Sequence, residues 1–161
     1  MTRKERALAT APIDPRALKP RTGSAYPAPF AAACAAREKR ALGNPFGLSH
    51  FGVNLVRLAP GTASSQRHWH SREDELVYIL EGEATLITDA GEQVMTPGMC
   101  MGFPAGAANG HHLVNRSDRD VVYLEVGDRV PGDEVDYPDI DMLVRLVEGE
   151  RRFVRKNGTP Y

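Results

Sequence analysis

Cysteine is scarce in this chain: Cys34 and Cys100 are the only two in 161 residues. They are too few and too far apart for a disulfide framework or a thiolate zinc cluster, so the chain reads as a cytoplasmic protein with reduced thiols. An excess of one charge is also missing. Lys and Arg number 20 against 21 Asp and Glu, a formal net charge of −1, which leaves no electrostatic footprint for a nucleic-acid partner. No apolar run approaches the length that spans a bilayer. The basic start, MTRKERALATAPIDPRALKPRTGSAYP, carries no continuous apolar stretch or cleavage site of a secretion signal. Internal repeats, low-complexity tracts and a helix-turn-helix pattern are absent as well. Together these gaps predict one compact domain that works on a small molecule, without nucleic acid or membrane.

What is present is mostly strand and turn. Residues 1–28 contain Pro12, Pro15, Pro20 and Pro27, which predicts an extended arm. AAACAAREKRAL at 31–42 has helical composition and ends at Gly43-Asn44-Pro45, which predicts one short helix. From Leu48 onward, short runs rich in Val, Leu, Ile, Tyr and Phe alternate with turns. They are 48–58, 75–88, 92–95, 111–115 and 121–126, with Pro60-Gly61, Glu81-Gly82, Ala90-Gly91, Pro97-Gly98 and Ser117-Asp118 between them. Several strands without intervening helices predict an all-β antiparallel sandwich or barrel. The expected division is an arm and helix at 1–45, a barrel at 46–130, and C-terminal strands or a second arm at 131–161. Within 75–80 both strand faces are apolar, Val77 and Ile79 on one and Leu76, Tyr78 and Leu80 on the other. Such a strand needs cover on both sides, which predicts a homodimer.

The chemistry concentrates in two places. In His68-Trp69-His70 the imidazoles stand at i and i+2, and in a strand such residues project from the same face. Gln66 shares that parity and is a candidate pocket residue. Glu75 follows a polar turn that can bring its carboxylate over the imidazole pair. The second place is Gly110-His111-His112-Leu113-Val114-Asn115, where His111 shares a face with Leu113 and Asn115. Four of the five histidines lie in these two segments. Three imidazoles with one carboxylate suit a divalent ion such as zinc, iron, manganese, nickel or cobalt, whereas magnesium or calcium would want more oxygen. Cys100 is expected to be a buried inert thiol, and Met95, Met99 and Met101 to fill core. No cluster of Arg and Lys is recognisable as a phosphate clamp.

These residues resemble the two motifs of the cupin superfamily. Gly61…His68-x-His70-x4-Glu75-x6-Gly82 is similar to the first, and Gly98-x5-Pro104-x-Gly106…His111-x3-Asn115 to the second. The gap from Gly61 to His68 is one residue longer than the family pattern and that from Gly106 to His111 two longer, so His112 stands as the alternative third imidazole. The resemblance implies a double-stranded β-helix, or jelly-roll, barrel and a metal held by His68, His70, Glu75 and His111. GHHLVNRSDRDVVYLEVGDR, YPDIDM and RKNGTPY further resemble small bacterial cupins catalogued as sugar-phosphate-isomerase-like. That likeness implies a metal-dependent isomerase acting on an oxygen-rich metabolite, with Glu75 as ligand or base. An iron-dependent dioxygenase and a non-enzymatic small-molecule-binding or regulatory protein are the alternatives, because a fold does not fix a reaction.

Overall fold

The computed structural model describes residues 8–161. Thirteen strands follow in chain order: β1 (Arg21–Thr22), β2 (Arg37–Ala41), β3 (Phe51–Leu58), β4 (Trp69–His70), β5 (Glu75–Glu81), β6 (Ala84–Thr88), β7 (Gly91–Met95), β8 (Cys100–Phe103), β9 (His112–Val114), β10 (Val121–Asp128), β11 (Val135–Tyr137), β12 (Met142–Val147) and β13 (Glu150–Val154). They form a six-stranded sheet in the order β1-β2-β3-β10-β5-β8, a four-stranded sheet β13-β12-β11-β4 and a three-stranded sheet β7-β6-β9. The pairings are antiparallel throughout. Bridges between Ala63 and Val114 and between His68 and His111 tie the chain leading into β4 to β9. The result is an all-β jelly roll, as the motifs implied.

Alternation explains which residues form the core. Val56 and Leu58 of β3, Val77 and Ile79 of β5, and Val121 and Tyr123 of β10 point inward. They meet Ala84, Leu86, Met95 and Leu113 from the three-stranded sheet. Burying one apolar parity of each strand between two sheets is the usual way such layers gain stability. A second, smaller core joins Val135, Tyr137, Met142 and Val144 to Tyr26 and Phe30 of the N-terminal arm. The turn from β5 to β6 passes through Gly82 with φ +77°, where a Cβ would sit 2.2 Å from the Asp120 carbonyl oxygen. Only glycine fits there. Among the described residues no helix is long and apolar enough to cross a membrane.

The structure departs from sequence expectation in the segment 31–42. The helix there shrinks to a 3₁₀ turn over Ala32–Cys34, and Arg37–Ala41 is strand. Pairing with β3 wins because it satisfies the backbone while giving Arg37 and Lys39 specific partners on the inner face. Cys100, Met99 and Met101 are exposed rather than buried, and of the three methionines expected in the core Met95 alone is there. Cys100 and Met101 lie on β8, a sheet edge with no further strand beside it.

Candidate metal centre

His68 and His111 are held side by side by reciprocal backbone hydrogen bonds, His111 N–H to His68 O at 2.8 Å and His68 N–H to His111 O at 3.2 Å. Their rings lie 4.9 Å apart. β4 carries His70, whose backbone is in register with Val135 of β11. Glu75 enters from the other wall at the start of β5, in register with Phe103 and Gly127. All three imidazoles turn Nε2 toward one carboxylate oxygen. Glu75 Oε2 is 3.0 Å from His111, 3.8 Å from His68 and 3.9 Å from His70. Two ligands of one ion with bonds of about 2.1 Å can stand no more than about 4.2 Å apart, so these separations suit a shared ion. The donor atoms of His68, His70 and Glu75 all lie within 4.8 Å of one another, so any pair beyond about 4.2 Å would have to close by a few tenths of an ångström on a shared ion. The residues therefore fit the divalent metal that the motifs imply.

The other ring nitrogens decide how ready each imidazole is. His68 Nδ1–H donates to the Gln66 carbonyl at 2.9 Å, and His70 Nδ1–H donates to Asp133 Oδ2 at 2.8 Å. Both rings thus present an unprotonated Nε2 to the centre, each oriented by a partner behind it. His111 is set the other way. Its Nε2–H donates to Glu75, while its buried Nδ1 has no hydrogen-bond partner among the described residues. Ligation by His111 Nε2 would move that proton to a nitrogen that lacks an acceptor, so His111 would be the costliest of the four ligands. Its ring stacks on Phe103 with centroids 3.5 Å apart. Burial, with His111 and His70 nearby, holds the His68 imidazole down at about 3. Burial alone would raise the Glu75 carboxyl, but the His111 hydrogen bond and the three imidazoles bring it down to about 2. At neutral pH the chain therefore offers a neutral His68 and an ionised Glu75.

Of the remaining sequence candidates, His112 lines the same cavity but its Nδ1–H donates to the Ser65 carbonyl at 2.9 Å. His111, not His112, meets Glu75. The Gln66 side chain does not line that cavity; its amide donates to the Phe30 carbonyl at 2.8 Å and ties down the arm. Asn115 is fully buried and holds the 115–119 turn, donating to Leu58 O and Arg119 O and accepting from Ser117. Asp133 escaped sequence reasoning. Besides His70 it accepts from the Arg72 N–H at 3.0 Å and from Arg151 at 3.1 Å. His70, Glu73 and Asp133 also cluster, but these donors already engage the Asp133 carboxylate, which marks it as the support behind His70. Nothing in the 131–134 sequence signals that role.

The centre opens into a cavity of about 310 Å³ whose floor includes Val77, Leu86 and Leu113. The Cupin domain family matches residues 54–127. The crystal structure of a sugar phosphate isomerase of the cupin superfamily from Silicibacter pomeroyi is 45% identical, with 94% of this chain and 96% of that chain covered and a TM-score of 0.89. A protein proposed to be a sugar phosphate isomerase, from Acidithiobacillus ferrooxidans, is 33% identical over 79% of this chain and 81% of its own, with a TM-score of 0.71. A polyketide cyclase from Streptomyces resistomycificus shares the fold at 23% identity, covering 74% of this chain and 80% of that one, with a TM-score of 0.59. No curated protein matches.

Proposed function

Because the chain belongs to the cupin superfamily, we propose that it is a metal-dependent enzyme of the sugar-phosphate-isomerase type, acting on a small oxygen-rich metabolite. The observation that carries this reading is the convergence of three Nε2 atoms on Glu75 Oε2. The name of the 45% identical relative supports the substrate class. A divalent ion held by His68, His70, Glu75 and His111 would act as a Lewis acid, polarising a substrate carbonyl or acidifying a bound hydroxyl. The chain supplies the rest. Val77, Leu86, Leu113 and Phe103 line the apolar side of the cavity and limit water around the reacting atoms. Glu75 would be the base in this reading when its carboxylate is free of the ion. The two free cysteines agree with a cytoplasmic setting. A homodimer is part of the same reading, supported by the exposed apolar side chains of Leu76, Tyr78 and Leu80 on β5.

The test is elemental analysis of protein purified without added metal, followed by turnover of aldose and ketose phosphates with zinc, iron, manganese, nickel and cobalt. We expect one ion per chain and isomerisation with at least one metal. The double variant His68→Ala, His70→Ala should lose the ion and the activity. Full metal retention by that variant would refute the centre, and absence of turnover with every metal would refute the isomerase.

A further inference from the structure

The cavity that contains the histidines is also lined by Arg37, Lys39, Asn54, Tyr123 and Glu125. These come from β2, β3 and β10, neighbours in the six-stranded sheet. Lys39 is neutralised by Glu125 at 2.5 Å, and Asn54 donates to the same oxygen at 3.0 Å. Arg37 is different. It is 6% exposed, and its guanidinium donates only to carbonyls: to Gly23 through Nε at 3.2 Å and Nη2 at 2.7 Å, and to Ser64 through Nη1. No carboxylate pairs with it among the described residues. A guanidinium has five N–H donors, so some of them remain beyond these contacts. Tyr123, 1% exposed and lining the same cavity, has a buried hydroxyl that lies beside the Ser64 hydroxyl without forming a hydrogen bond of good geometry. Burial, and after it the carboxylates of Glu125 and Glu75, hold this phenol well above its usual range, so it is a neutral donor.

An unpaired buried cation and an unpaired buried hydroxyl each cost stability. Both costs fall when one oxyanion accepts from the two groups, and the arginine fork suits the paired oxygens of carboxylate or phosphate. We infer that Arg37 and Tyr123 form an anion subsite, which receives the carboxylate or phosphate group of the substrate in the cavity that the metal centre shares. This deepens the reading of the site as one for a small metabolite, and rests on it for the identity of the ligand as substrate. A cavity of about 310 Å³ has room for one small anionic metabolite. The pair is invisible in the sequence because each residue lies alone, one in the basic run before the barrel and the other inside an apolar strand.

The experiment titrates inorganic phosphate and, separately, acetate into the full chain without metal, by calorimetry, for the wild type, Tyr123→Phe and Arg37→Gln. The wild type should bind at least one of the two, and the tighter one identifies the group. Tyr123→Phe should weaken that binding about fivefold, the loss of one hydrogen bond, while raising the melting temperature of the ligand-free protein. Arg37→Gln should weaken it about a hundredfold. Because Arg37 also fastens Gly23 and Ser64, that variant can fail to fold, and Tyr123→Phe then decides alone. Wild-type protein that binds neither anion, or Tyr123→Phe with unchanged affinity, overturns the subsite. Metal binding and isomerisation that persist in that case leave the enzyme reading standing, whereas anion binding without turnover leaves the subsite and removes the isomerase.

Discussion

Asp133 has no exposed side-chain surface, yet it keeps its charge because His70, the Arg72 N–H and Arg151 all donate to it. The His70 hydrogen bond leads the influences that hold its carboxyl low against the opposing effect of burial. It fixes which nitrogen of His70 carries the proton and stiffens the ring. Asp133→Asn keeps an acceptor of the same shape and removes the charge, so we expect metal affinity to fall about tenfold to a hundredfold. Competition with a chromophoric chelator measures this, and an unchanged affinity would mean that His70 needs no support from behind. At this scale legibility followed sequence distance. His68 and His70 were readable from strand parity and Glu75 from its spacing, but Arg37 reaches the cavity, and Asp133 the back of His70, only through pairings between distant segments. Gln66 had the right parity, but the arm captured its side chain.

Among elements, β5 and its turn carry the tightest constraint. Gly82 sits where the chain reverses into β6, with its α-carbon facing the Asp120 carbonyl across the end of β10. Gly82→Ala combines a left-handed backbone that alanine resists with a clash against main chain, neither of which a rotamer can relieve. We expect a loss of at least about 2 kcal/mol in urea unfolding. A neutral outcome would require the turn to rebuild. The barrel strands were legible because alternation and turn residues coincide there. β2 was not, since REKRA shows no alternation of polarity. Its strand state comes from β3 beside it and from the partners of Arg37, Lys39 and Arg40, none of which composition records. β8 was missed for another reason: Cys100–Phe103 is apolar but only four residues long, with a glycine inside it.

For the molecule as a whole, the outer face of the six-stranded sheet is an apolar surface left uncovered among the described residues. Leu76, Tyr78 and Leu80 are 42%, 39% and 39% exposed, and Tyr78 is in register with Leu124, itself beside Leu55. The proposed second copy would cover this face next to the open edge of β8. Sedimentation velocity should show a mass of two chains for the wild type and one for Leu76→Glu, Tyr78→Glu, with the fold retained by circular dichroism. A monomeric wild type would remove the dimer.

The stretch that matches the family, 54–127, contains His68, His70, Glu75, His111 and Tyr123 but neither Arg37 nor Asp133. Those two arrive on β2 ahead of it and on the loop before β11 behind it. The site is thus assembled from the family-matched middle and from a segment on either side of it. A chimera that exchanged only the middle between relatives would carry the ion-binding cluster and Tyr123 across while keeping its own Arg37 and its own Asp133 behind His70. Choice of guest and metal affinity would then each depend on how well the two lengths of polypeptide match.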